Sequence, residues 1–213
     1  TVDIEVGTTY NDAGATASDN YDGDITDAIV TVNNVDTSTI GTYTVTYNVS
    51  DASGNDAVEV IRTVNVVDTT IPVITLTGSA TVDIEVGTTY NDAGATASDN
   101  YDGDITDAIV TVNNVDTSTI GTYTVTYNVS DASGNAAVEV IRTVNVVDIT
   151  LPVISLLGDV TVDIEVGTTY NDAGATASDN YDGDITDAIV TVNNVDTSTI
   201  GTYTVTYNVS DAS

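Results

Sequence analysis

The chain of 213 residues contains no cysteine, no histidine and no lysine, and its two arginines face 33 acids. The formal charge is -31 and the pI about 4.1. Without cysteine and histidine there are no disulfides, no thiolate chemistry, no Ser-His-Asp or Cys-His catalysis and none of the usual zinc ligands. Without clustered Lys and Arg, a nucleic-acid partner is excluded, and the same repulsion keeps the chain from an anionic membrane surface. No run of about 18 apolar residues is present, so membrane insertion is not expected. The opening TVDIEVGTTY shows neither the basic nor the apolar region of a signal peptide. A chain of this kind has cations as its natural partners.

Glutamine and methionine are also absent and leucine is scarce, whereas Val, Ile, Thr and Tyr recur at regular spacing. Helix formers are missing and strand formers abound, so the expected class is all-β rather than disordered. The segment beginning TVDIEVGTTYNDAGATASDNYDGDITDAIV returns at Thr1, Thr81 and Thr161, a period of 80 residues. Segments 1–53, 81–133 and 161–213 are identical, and differences such as Asp56 against Ala136 fall outside them. An 80-residue unit exceeds the roughly 20–50 residues of solenoid repeats and can hold a small core of its own. Strand breaks at Asp68/Pro72 and Asp148/Pro152 place the repeats at 1–68, 69–148 and 149–213. The first then lacks an opening strand and the third its closing one, as in a window cut from a longer array.

Alternation predicts the strands. Val82, Ile84 and Val86 share a face in Thr81–Val86, as do Tyr123, Val125, Tyr127 and Val129 in Thr122–Val129. Ala108–Val115 and Ala137–Val147 are further strands, with turns at Asp102-Gly103, Ile120-Gly121 and Ser133-Gly134-Asn135. About seven short strands per repeat favour tandem immunoglobulin-like β-sandwich modules. The motifs PVITLTG, IEVGTTYNDAGATASDNYDGDIT and GTYTVTYNVSDASGN together resemble the Ig-like domains of bacterial surface proteins, relatives of hyalin-repeat and cadherin-type modules. The resemblance covers the whole chain. It implies a sandwich fold, an extracellular or cell-surface setting, and a mechanical or adhesive role without catalysis.

The densest acids lie in DNYDGD, at 19–24, 99–104 and 179–184. Calcium takes six to eight oxygens from flexible loops, and this stretch offers several. In an Ig sandwich this loop, SDASGN and the start of the first strand share one end. The expected calcium ligands are Asp68, Asp99, Asp102, Asp104 and Asp131 at the first junction. At the second they are Asp148, Asp179, Asp182, Asp184 and Asp211. Asn100 and Asn180 add side-chain or carbonyl oxygens, and Asp19, Asp22, Asp24 and Asp51 form the equivalent set in the first repeat. The competing reading is a set of solvated turn residues.

Tyr43 and Tyr47 read as core, one of them as the buried tyrosine corner, and Arg62 and Arg142 as partners of strand-surface acids. Asn48-Val49-Ser50 matches a glycosylation sequon that short chance occurrence also explains. Lys-based isopeptides and Gln-based esters are excluded by composition. The leading function is a structural module of an adhesin stalk or a self-assembled filament, its repeats partnered by neighbouring modules and stiffened by calcium. The alternative is a set of ligand-binding adhesin modules that recognise a glycan or surface protein. Strand donation between subunits is a further route, although a head-to-tail join of this chain cannot supply the missing residues.

Overall fold

The computed structural model describes residues 1–212. The first repeat supplies β1 (Val2–Glu5), β2 (Ser18–Asp19), β3 (Gly23–Asp24), β4 (Val30–Asn33), β5 (Gly41–Asn48) and β6 (Val60–Val67). The second supplies seven strands: β7 (Val73–Leu76), β8 (Thr81–Glu85), β9 (Ala95–Asp99), β10 (Gly103–Asp104), β11 (Val110–Asn113), β12 (Gly121–Asn128) and β13 (Val140–Val147). The third holds β14 (Val153–Leu156), β15 (Ala175–Asp179), β16 (Gly183–Asp184), β17 (Val190–Asn193) and β18 (Val205–Asn208). Among the described residues the helical content is three single 3₁₀ turns, such as Thr106–Ala108. The chain is all-β, with one Ig-like sandwich per repeat.

In the complete repeat one sheet runs β10-β9-β7 and the other β11-β12-β13-β8. The opening segment therefore serves both sheets in turn. β7 pairs antiparallel with β9, and β8 pairs parallel with β13. Pairing explains where the identical outer segments depart from this pattern. With no counterpart of β7 ahead of it, β2 has two residues where β9 has five. With no counterpart of β13, residues 162–166 form no strand, and Val162, Ile164 and Val166 stand exposed. A strand needs its neighbour's backbone, and sequence identity alone does not supply one.

Chain division by compactness gives two units. One comprises Thr1–Thr77, Gly94–Thr111 and Thr126–Val140; the other comprises Gly78–Ala93, Val112–Val125 and Ile141–Ser213. In the first unit Val45, Tyr47 and Val64 form a buried cluster against Ile4, Tyr10, Ala15, Ile29 and Val35. The alternation expected for the tyrosine strand is thus observed. Two strand limits differ from expectation. Residues 106–108 form a 3₁₀ turn because Thr106 Oγ1 accepts the Ala97 amide at 3.0 Å and holds the chain off the sheet. Residues 137–139 stay outside β13, joined to the loop by the Ser130/Ala136 bridge and the bond from the Ala137 amide to the Val129 carbonyl.

The tyrosine corner belongs to Tyr43, whose hydroxyl donates to the Thr39 carbonyl at 2.9 Å, as Tyr123 does to Thr119 and Tyr203 to Thr199. Gly41 lies beneath this ring: a Cβ there would stand 3.4 Å from it.

Arg62 does not pair with a strand-surface acid. It bonds Asp12, on the irregular segment between β1 and β2, and donates to the Gly14 carbonyl at 2.8 Å. Tyr47 donates to the same carboxylate at 2.6 Å, and the guanidinium lies 5.5 Å from its ring centre. In the second repeat Arg142 bonds Asp92 and the Ser79 carbonyl and is 1% exposed. The expected surface pair is thus, in the second repeat, an internal strut. In the third repeat, which holds no arginine, Tyr207 donates to Asp172 at 2.5 Å.

Burial, with the hydrogen bond to Asp12, pushes the Tyr47 phenol up to about 12; the bond to Asp172, with burial, does the same for Tyr207. A phenol whose folded pKa is raised stabilises the fold fully below its unfolded value near 10 and ceases to do so as pH climbs through 12. Tyrosinate absorbance from these two residues should therefore appear only towards pH 12, with melting temperature falling across the same window. Tyr47→Phe should remove the late step of that residue; a titration unchanged by the substitution would contradict the assignment.

Candidate metal centre

The β9–β10 hairpin turns on its own aspartates. Asp99 Oδ1 accepts the amides of Tyr101 at 2.8 Å and Asp102 at 3.2 Å, which folds the tight loop. Gly103 completes it at φ +73, a conformation that an L side chain rarely adopts. Asp99 Oδ2 is left buried with no hydrogen-bond partner. Asp102 Oδ2 accepts the Ala132 amide at 2.7 Å, tying this loop to the one after β12.

In that second loop Asn135 grips Asp131 twice, its amide bonding Oδ1 at 2.7 Å and its side chain Oδ2 at 2.8 Å. The same side-chain amide reaches the Asp68 carbonyl at 3.1 Å. Asp68 arrives on the linker after β6 and is 7% exposed, Asp131 8%. The Thr70 amide donates to Asp68 Oδ1 at 3.2 Å, but Asp68 Oδ2 is buried without a partner. Asp68, Asp99 and Asp131 each bring a carboxylate oxygen within 4.8 Å of the others.

The electrostatics of this arrangement are unfavourable by themselves. At such a separation each pair of charges repels by roughly 3–4 kcal/mol at an effective dielectric of about 20. Burial pushes the Asp68 carboxyl above its ordinary value, and the neighbouring Asp99 charge acts in the same direction. Asn135 and loop amides hold Asp131 below the usual range against its own burial. Dehydrated carboxylate oxygens without a partner, as Asp68 Oδ2 and Asp99 Oδ2 are, suit a hard divalent cation.

Two further groups of three carboxylates converge, each with a different membership. In the first repeat, Asp19, Asp22 and Asp51 converge, and Asp22 accepts the Ala52 amide at 3.0 Å. In the second unit Asp148, Asp179 and Asp182 converge, and Asp182 accepts the Ala212 amide at 2.8 Å. Asp179 Oδ2, like Asp99 Oδ2, is buried without a partner.

Several expected ligands are placed elsewhere. Asp24, Asp104 and Asp184 are exposed and accept the amides of Thr26, Thr106 and Thr186 at 2.9–3.0 Å; the hydroxyls of these threonines first, and then the amides, hold their carboxyls low. They cap the 3₁₀ turns. Asn100 is exposed, and Asn180 donates its side-chain amide to Glu85 at 2.9 Å. Asp211 is half-buried and outside the triad of its repeat. Asp102 accepts the second-loop amide and lies outside the three-carboxylate group, whereas its counterparts Asp22 and Asp182 accept the same amide and belong to theirs.

One contributor was not anticipated from sequence. Glu5 accepts the Thr69 amide at 3.0 Å and the hydroxyls of Thr69 and Thr70 at 2.6 and 2.8 Å. These bonds, the Thr69 hydroxyl chief among them, draw its carboxyl down to about 2. Glu85 holds the Ile149 amide and the Thr150 hydroxyl in the same way, at 2.9 and 2.8 Å. Parallel pairing of β1 with β6 sets Glu5 opposite Val67, one residue before Asp68. The glutamate clamps the linker that carries the aspartate. Its outward position at the end of a strand was the available signal.

The model of the bacterial surface protein Ig-like domain matches residues 1–66, 74–146 and 154–213. The pesticidal crystal protein Cry22Aa of Bacillus thuringiensis is 33% identical over 99% of this chain and 30% of its own length. Hyalin of Lytechinus variegatus is 38% identical over 61% of this chain and 26% of its own. The chain thus spans less than a third of these relatives. A lipoprotein crystal structure from Bacteroides thetaiotaomicron is 25% identical over 40% of this chain and 45% of its own, with a TM-score of 0.33.

Proposed function

Since the chain belongs to the family of bacterial surface protein Ig-like domains, we propose that it is a non-enzymatic structural spacer of a cell-surface adhesin stalk or extracellular filament, stiffened by calcium at its repeat junctions. The observation that carries this reading is Asp68: a linker carboxylate 7% exposed, with an unpartnered oxygen, that meets Asp99 and Asp131. Solvated turn acids do not bury an unpaired oxygen. Asp68, Asp99 and Asp131 would hold the ion at the first junction, and Asp148, Asp179 and Asp182 at the second. Bound calcium would neutralise the group and link linker to loops. Asn135 and Glu5 prepare the site by fixing Asp131 and the linker.

The near-identity of the repeats supports the spacer reading, because a spacer needs one unit many times whereas a ligand site needs one copy. Sandwiches of roughly 35–40 Å, from strands rising about 3.3 Å per residue, would give a length on the order of 110 Å for three in line. Small-angle scattering tests this. In calcium the maximum dimension should approach about 110 Å, and with chelator the radius of gyration should fall as the linkers swing. Identical scattering curves in the two conditions would reject calcium stiffening while leaving the family assignment intact.

A further inference from the structure

Each repeat presents one sheet edge that carries none of the usual guards against strand addition. In the first repeat the four-stranded sheet runs β1-β6-β5-β4, so β1 and β4 are its edges. β1 carries Asp3 and Glu5, and charged side chains on an edge discourage pairing with another chain. In the other sheet of the second repeat, β10 is two residues long and ends in Asp104, and Pro72 immediately precedes β7. β4 has no such feature. It lies in a run, Ala28–Val35, without charge, proline or glycine, bounded by Asp27 and Asp36 in a chain of net charge -31. The run returns at 108–115 and 188–195 with chain on both sides of it, and β11 and β17 are edges as β4 is.

The backbone phase defines what this edge offers. The Asn34 amide bonds the Thr44 carbonyl at 3.2 Å, which puts Val32, opposite Thr46, and Val30, opposite Asn48, in the bonded phase of the antiparallel ladder. The amides and carbonyls of Thr31 and Asn33 therefore face away from β5. Asn114 and Asn194 make the same bond at 3.2 Å, so the phase is equal in all three repeats. Every residue of Val30–Asn33 is exposed, Val30 at 62% and Val32 at 46%. The counterparts Val110 and Val112, and Val190 and Val192, are equally open. Across the sheet Val32 aligns with Thr46 and Ile61, and the exposed Ile61 extends the apolar strip inward from the edge.

We propose that this edge pairs with the same edge of a second copy of the chain, antiparallel about a two-fold axis at Val32. That register sets Thr31 against Asn33 of the second copy and Asn33 against its Thr31, so both outward-bonding residues of each strand are used. Val32 then meets its own copy in the close, non-bonded position of the ladder. Two observations favour a copy of this chain over another partner. The outward-bonding residues are symmetric about Val32, so the strand is complementary to itself. The uncharged run also lets two acidic chains approach where acids are absent, whereas a basic partner would be drawn to the aspartate loops. Edge pairing of this kind takes its affinity from main-chain bonds and joins chains laterally. It needs no calcium, and so stands apart from the ion reading.

The test is sedimentation of the full chain over a range of concentrations, in calcium and in chelator alike. Concentration-dependent dimers and larger species are expected. They should strengthen as salt rises from about 0.01 to about 1 M, because the screening length falls from about 30 to about 3 Å and repulsion between the acidic chains fades. Hydrogen exchange should slow at Thr31, Asn33 and their copies as concentration rises. Val32→Lys, made together with Val112→Lys and Val192→Lys, should weaken association at least about tenfold by setting like charges opposite one another. These positions are exposed, so the melting temperature should stay near that of the parent. Thr31→Pro with Thr111→Pro and Thr191→Pro removes an amide that faces the open edge and should act in the same direction. Three outcomes overturn the proposal: a monomer at every salt and concentration, association undiminished in the Lys variant, or slowed exchange confined to other strands.

Discussion

Calcium added to the chelated chain is expected to raise its melting temperature by roughly 10–20 °C, and Asp68→Asn should reverse sign between the two conditions. Binding to the folded state alone contributes about 2.7 kcal/mol at a hundredfold excess over the dissociation constant. Total stability of a small domain is about 5–15 kcal/mol, and each kcal/mol moves the midpoint by about 4–8 °C in a domain of 60–100 residues. The sign reversal is the sharper part. Asp68 is buried beside Asp99 and Asp131, so without an ion its charge opposes folding, and an uncharged amide of equal size removes that repulsion. Asp68→Asn should therefore melt higher than the parent in chelator. In calcium it should melt lower, because a ligand has been lost from the junction. Asp104→Asn, at an exposed residue that caps Thr106, should show no such dependence on calcium. Identical melting of parent and Asp68→Asn in both conditions would return these acids to the status of turn residues.

The sandwich was legible because its signals are local and repeated. The 80-residue period, the Tyr-Val alternation of Gly121–Asn128 and the Gly-Asn-Asp turns each name an element, and the meeting of two loops with the linker follows from Ig topology. The individual ligands were less legible. DNYDGD contains three aspartates of equal chemistry, and composition cannot say which oxygen is spent within the loop. The structure divides them: Asp99 folds the turn with one oxygen and retains the other, Asp102 bonds the second loop, and Asp104 caps a 3₁₀ turn. Glu5 was hidden for a different reason. Its contact with Thr69 spans 64 residues and depends on a parallel pairing of β1 with β6, which no local pattern announces. Arg62 and Arg142 sat on strands that read as surface, yet each turns to an aspartate on an irregular segment fifty residues earlier.

Replacing Asp92 by Ala should be the most damaging single substitution outside the acidic loops. Arg142 is 1% exposed, and its charge is compensated by Asp92 and by the Ser79 carbonyl. Removing one partner of a buried ion pair typically costs about 3–5 kcal/mol, since the remaining charge keeps its desolvation penalty and loses its counter-charge. The first repeat provides an internal control. The Arg62 side chain is 25% exposed, so water can take over when Asp12 is lost, and Asp12→Ala should cost clearly less. Asp172 provides a second, since it bonds the hydroxyls of Tyr170 and Tyr207 and no guanidinium. Asp172→Ala should cost only about 0.5–1.5 kcal/mol, the net worth of an ordinary hydrogen bond, because these hydroxyls reach water when the carboxylate is lost. The double substitution Asp92→Ala with Arg142→Leu should recover part of the loss by removing the buried charge along with its partner. Denaturant titrations of the four variants against the parent, followed by the tyrosine signal, would measure the order. Equal costs for Asp92→Ala and Asp172→Ala would mean that the aspartate acts as a hydrogen-bond acceptor for tyrosine, with the arginine contributing nothing to its effect.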